Sequence, residues 1–212
     1  MNNRKKQIRR LVLAAFFVAI EIIMAVTPLG YIPINPTLSV TTMHLPVILA
    51  GMVLGPSWGA GLGLVFGLTS VIRSTMSPGI GSLFFTPFVT IAGVKGNYWS
   101  LLTAIGPRVF LGWFSGILFR LLNKKMQYGA AAALSAGINT FLHTVNVMGL
   151  IWIFQRGIYE QAGGALAKTF PILIGATFAS NGVFEIILAV IVIPALMAAL
   201  KPSMERMGLI EK

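Results

Sequence analysis

Six apolar runs, parted by short basic clusters or by loops rich in proline and glycine, constrain this chain more than any other feature. Crossing the roughly 30 Å hydrocarbon layer of a membrane takes about 20 apolar residues in a helix. Inside that layer each backbone N–H and C=O must be paired within its own segment, so each run reads as a helix. Of the residues, 56% are hydrophobic and 10% are charged, with mean hydropathy +0.85; soluble domains carry about 25% charged residues. The expected fold is an all-α integral membrane protein, a six-transmembrane-helix bundle with long outer loops one and three. It forms a single membrane domain, 1–212, with helices near 8–27, 41–55, 57–74, 98–122, 128–155 and 170–200.

The basic clusters set the orientation. The net charge is +11, but the charge sits between spans, which favours the positive-inside rule over a nucleic-acid surface. With the amino terminus inside, the inner segments hold Arg4, Lys5, Lys6, Arg9, Arg10, Arg120, Lys124, Lys125, Lys201, Arg206 and Lys212. The outer segments hold only Arg73, Lys95, Arg156 and Lys168. Both termini are therefore expected in the cytoplasm. Leu11 to Val26 behind its basic start resembles a signal peptide, but no small-x-small site follows, and it is read as a retained first helix.

Several function classes fall away. There are no cysteines, which removes disulfides, thiolate metal sites and cysteine nucleophiles. Two histidines and five acids leave little material for a metal site or a hydrolytic centre. No catalytic residues, metal or cofactor are expected, and no G-x-x-x-x-G-K phosphate loop is present.

Pro28 to Ser39, with three prolines, reads as a loop that ends the first helix. Gly55-Pro56 reads as a tight turn between two short spans that protein partly shields. Ser74 to Asn97 is a long connection whose phenylalanines argue that it packs. Gln155 to Thr169 is a polar connection, and the last span ends at Lys201-Pro202. Gly51, Gly55, Gly59, Gly63 and Gly67 recur every four residues, and Gly112 and Gly116 repeat the spacing. Such ladders let helix backbones approach closely, here chiefly within one bundle and secondarily in a dimer. Ala15 and Ala19 form another small pair, leaving a groove for a neighbouring helix or another subunit.

Ionisable groups inside a membrane are functional candidates by default. Glu21, Arg108 and Glu185 qualify, Arg108 lying about 15 Å in from the outer end of its helix. Asn139, His143 and Asn146 share one helix face, as do Asn181 and Glu185. If these faces point inward, they build a polar pocket opening outward. A guanidinium keeps its proton and binds carboxylates through two hydrogen bonds, so Arg108 suggests an anionic small molecule. His44 and Arg73 flank the same region. The structural alternatives are a Glu21–Arg108 salt bridge, Glu185 bracing Asn181 or a neighbouring helix, asparagines as interhelical glue, a packing role for His143, and Arg73 as a mere helix end.

The stretch from Thr41 through His44-Leu45-Pro46 to Gly55-Pro56, continuing from Gly59 to Ser70, resembles the substrate-binding S-components of energy-coupling factor (ECF) vitamin transporters. Six spans, the Pro-rich first loop, the long third loop and the Asn181…Glu185 pair extend the resemblance along most of the chain. The resemblance implies a non-catalytic six-helix subunit of the cell membrane that captures a vitamin on the outer face under loops one and three. It also implies partners: a transmembrane coupling subunit and two cytoplasmic ATPases that hydrolyse ATP. Ala15 and Ala19 match the family's coupling motif, which turns the groove reading toward a partner surface. The His44-Leu45-Pro46 segment, Pro107-Arg108 and Asn139-Thr140 look most like the pantothenate-type S-components. That implies substrate contacts at Arg108, Asn139, His143, Asn146, Asn181, His44 and Arg73, with Glu21 and Glu185 bracing the pocket. Another vitamin, such as a pyridoxine-like compound, folate or riboflavin, is the alternative within the family. Outside it stand a standalone secondary transporter and an intramembrane enzyme, for which the needed repeats and H-E-x-x-H pattern are not seen.

Overall fold

A computed structural model describes residues 3–35, 38–91, 93–157, 172, 175–176 and 178–208. Its helices are α1 (Asn3–Val26), α2 (His44–Leu54), α3 (Pro56–Met76), α4 (Trp99–Asn123), α5 (Tyr128–Phe154) and α6 (Val183–Arg206), the last preceded by a π-helical turn, Phe178–Gly182. Gly163, Gly164, Lys168, Lys212 and the expected start of the last span at Phe170 lie outside the described residues.

Helix α2 is apolar all round, and the fold answers by burying every one of its residues. It is too short to cross a bilayer alone, and α1, α3, α4, α5 and α6 all contact it. By length and composition, four helices suit a crossing: Pro56–Met76, Trp99–Asn123, Tyr128–Phe154 and Ala179–Arg206. Helix α1 is as long, but its Arg- and Lys-rich first turns lower its apolar character. A mainly helical, multi-pass membrane protein thus stands.

The glycine ladder holds the bundle together. A Cβ on Gly51 or Gly59 would strike the Gly112 carbonyl of α4, and one on Gly63 would strike the Arg108 carbonyl. Gly116 in turn lies against the Gly51 carbonyl and Pro56. These backbone-to-backbone approaches place the ladder inside the bundle and seat Arg108 against α3. Gly55 turns the chain at φ +108°, a conformation that favours glycine, and Pro56 starts α3 where no amide is needed.

Loops one and three contain strands that the prolines and glycines concealed. In loop one, β1 (Tyr31–Asn35) pairs antiparallel with β2 (Leu38–Thr41), Tyr31 opposite Thr41, with a register irregularity between Pro33 and Asn35. A two-stranded ribbon consists only of edges, so Pro33 is tolerated there. In loop three, a 3-10 turn (Ile80–Phe84) precedes β3 (Thr90–Ile91), which pairs with β4 (Val94–Lys95). Leu83, Phe84 and Val94 pack on Val147 and Ile151 of α5. Helix α6 runs past Lys201-Pro202 to Arg206, because a proline removes one amide and the turn is otherwise supported. Lys201 and Glu205 form an i,i+4 pair at 3.9 Å, and Arg9 Nη1 donates to the Met207 carbonyl at 2.8 Å.

Candidate functional site

The site begins with a proline. Pro107 has no amide hydrogen, so the carbonyl four residues earlier, on Thr103, loses its helical partner. The next residue fills the gap: Arg108 Nη1 donates to the Thr103 carbonyl at 2.6 Å. With this bond made, the guanidinium carbon lies 5.3 Å from the Phe66 ring centroid and 5.0 Å from that of Phe85, just past the 3-10 turn of loop three. Arg108 is buried, and the two aromatic faces hold the cation without neutralising it. Its Nε has no hydrogen-bond partner among the described residues.

Around Arg108 the helices deliver polar groups in the same condition. His143 on α5 lies within electrostatic reach of Arg108 and of His44 at the start of α2, and it tilts against Phe66 with centroids 6.3 Å apart. One turn further in, Asn139 donates to the Ser135 carbonyl at 2.7 Å. Among the described residues, Asn139 Oδ1, Thr140 Oγ1, both ring nitrogens of His44 and of His143, and both carboxyl oxygens of Glu21 are buried without a hydrogen-bond partner. Buried polar groups are nearly always paired, because an orphaned one costs about 1–3 kcal/mol. Of these groups, His143 lies near Arg108 and His44, and Glu21 near Tyr31; Arg10 Nε, Asn97 Oδ1, Tyr128 Oη and Gln155 Oε1 are further unpartnered atoms among the described residues.

Loop one meets this cluster through Tyr31 and Thr41. The Thr41 amide donates to Glu185 Oε1 at 3.0 Å, tying the end of β2 to α6. Glu185 also lies within electrostatic reach of Arg108. Tyr31 stacks under Arg73, 4.1 Å from guanidinium carbon to ring centroid, and Arg73 Nη1 donates to the Ala25 carbonyl at 3.3 Å. Burial pushes the Tyr31 hydroxyl above its usual range, against the pull of Arg108 and Arg73, so it remains a neutral donor.

The residues expected from sequence therefore fall into groups. Arg108, His44, Asn139 and His143 are buried in the cluster. Asn146 is half-buried nearer the C-terminal end of α5, and Asn181 is half-buried in the π-helical turn before α6. Arg73 is exposed and acts on Tyr31 and the end of α1, at the rim. Glu21 is fully buried beside Tyr31, and among the described residues no Glu21–Arg108 salt bridge is found. Ala15 and Ala19 are exposed on α1, flanked by Leu11, Val12, Phe16, Ile22 and Ile23, also exposed. Sequence reasoning missed Tyr31, Phe66, Phe85 and Thr103, and read Thr140 only as part of the Asn139-Thr140 resemblance. It also missed Gln155, which is fully buried just past the end of α5. The Pro107-Arg108 spacing was a signal for Thr103; a proline-rich loop and a helix end gave none for Tyr31 or Gln155.

Comparisons with known proteins agree along the chain. A family model described as "ECF transporter, substrate-specific component" matches residues 9–197. The chain is 32% identical over 203 residues to the "Pantothenic acid transporter PanT" of Lactococcus lactis subsp. cremoris (strain MG1363), covering 93% of this chain and 96% of that protein. It is 27% identical over 217 residues to the "Pantothenate transporter PanT" of Leuconostoc mesenteroides subsp. mesenteroides (strain ATCC 8293), covering 98% of each.

Proposed function

The chain belongs to the substrate-specific components of ECF transporters, and from that premise we propose that it captures pantothenate at the outer face of the plasma membrane for ATP-driven uptake. The observation that carries this reading is the set of buried, unpartnered polar atoms around Arg108. The names of the two relatives supply the candidate ligand. Pantothenate has a carboxylate, a secondary amide and two hydroxyls. Its carboxylate suits Arg108, a fixed cation between aromatic faces. Its amide and hydroxyls are donors and acceptors for Asn139, Thr140, His143 and His44, and for Asn146 and Asn181 nearer the outer end. Glu21 and Glu185 brace the pocket, while Arg73 holds Tyr31 at its rim.

In this reading all six helices belong to the membrane domain, with α2 shielded at its centre and both termini cytoplasmic. Loops one and three cover the ligand. The exposed Ala15–Ala19 face of α1 docks on a transmembrane coupling subunit, and two cytoplasmic ATPases provide the energy for release. The test is calorimetric titration of the purified chain in detergent with pantothenate, riboflavin, folate and pyridoxine. Pantothenate alone is expected to bind tightly, and Arg108→Ala is expected to weaken it about a hundredfold, the scale for losing a buried charge partner. Tight binding of another vitamin would overturn the substrate, and unchanged binding in the variant would overturn the role of Arg108.

A further inference from the structure

Gln155 touches neither Arg108 nor any group assigned to the ligand, yet it joins the two structures on which Arg108 depends. It is fully buried at the end of α5, where its own amide donates to the Ile151 carbonyl. Its side-chain Nε2 donates to the Thr103 hydroxyl at 2.7 Å and to the Phe84 carbonyl at 3.1 Å. The Thr103 hydroxyl donates to the Trp99 carbonyl at 3.1 Å, so it is satisfied as donor and acceptor at once. The carbonyl of this same Thr103 is the one released by Pro107 and taken by Arg108. On the other branch, Phe84 precedes Phe85, whose ring faces the guanidinium. Ser100 holds the adjacent Leu83 carbonyl at 2.7 Å, so the 3-10 turn of loop three is pinned to α4 and α5 at successive carbonyls.

We propose that Gln155 is a positioning residue that locks the Thr103 carbonyl and the Phe84–Phe85 segment together, and so sets the direction of the Arg108 guanidinium toward a ligand carboxylate. The inference rests on the reading of Arg108 as the carboxylate contact. It follows from a simple accounting of donors. The Nε2 of one buried amide makes two bonds, one to the helix that aims Arg108 and one to the loop that covers it, while Oε1 has no partner among the described residues. Without those bonds the guanidinium keeps its charge and loses its fixed direction, and a two-point contact to a carboxylate is sensitive to direction.

The experiment compares two ligands on the whole chain in detergent: pantothenate, and its alcohol analogue in which the carboxylate is a hydroxymethyl group. Gln155→Leu removes both bonds at similar volume. Thr103→Val removes only the hydroxyl and leaves the carbonyl that Arg108 uses, so it serves if the first variant does not fold. The expected result is about tenfold weaker binding of pantothenate in either variant, the scale of a lost buried hydrogen bond, with the alcohol changed less than twofold. A general structural role would weaken both ligands alike, and that outcome overturns the proposal. Arg108→Ala separates it from its premise. If Arg108→Ala abolishes the preference for the carboxylate while both other variants keep it, Gln155 does not position Arg108. If Arg108→Ala itself leaves the preference intact, the premise fails.

Discussion

Arg108 shows how much one residue can do when its neighbour is a proline. Pro107 opens a carbonyl, Arg108 occupies it, and Arg108 Nε is left without a partner among the described residues. Arg108→Lys retains the charge but loses the planar fork, so it should recover only part of the pantothenate affinity lost in Arg108→Ala; equal affinity of the lysine variant and the parent in calorimetry would mean that charge alone is read. The polar face of α5 was legible in sequence, because Asn139 and His143 are one turn apart in an apolar run. Tyr31 was not, since nothing in a proline-rich loop marks one tyrosine as half-buried beside Arg73 and Glu21. Gln155 was hidden for a related reason: a glutamine at a helix end usually faces solvent, and only the folded position of loop three buries it.

At the scale of elements, the close crossing of α3 and α4 is the main support of the site. The four-residue glycine spacing announced it, and the contact of Gly59 and Gly63 with the α4 backbone bears out packing within the bundle. Gly59→Leu should lower the thermal midpoint in detergent, because overpacking of this kind costs typically 1–3 kcal/mol. Gly61→Ala, at a position with open space around it, should leave that midpoint unchanged or slightly raised. The same sequence said little about the hairpins, since β1 and β2 gain their order from Tyr31, Thr41 and Glu185, contacts that lie far apart in the chain. The end of α6 was likewise hidden: Lys201-Pro202 has the look of a helix stop, and the turn beyond it is held by Glu205 and by Arg9 from the other end of the chain.

At the scale of the whole molecule, the proposed function assigns capture and release to different surfaces. The buried polar cluster around Arg108 lies inside the bundle, whereas Ala15 and Ala19 are exposed on α1. Ala15→Trp together with Ala19→Trp should therefore leave pantothenate binding by the isolated chain within about twofold of the parent, since the pair is exposed and outside the cluster. In cells holding the partner subunits the same variant should abolish uptake of labelled pantothenate. Uptake at the parent rate would remove α1 as the docking face. Six apolar runs made the all-helical class legible, while the central position of the 11-residue α2 depended on neighbours that sequence does not place.

The central claim, that the unpartnered buried atoms around Arg108 are completed by a carboxylate-bearing vitamin, is tested most directly by an experimental structure of the chain with pantothenate bound. The account predicts the carboxylate within hydrogen-bond distance of Arg108, with the amide or hydroxyls partnering at least two of Asn139, Thr140, His143 and His44. A structure with pantothenate elsewhere, or with its carboxylate turned away from Arg108, would contradict it.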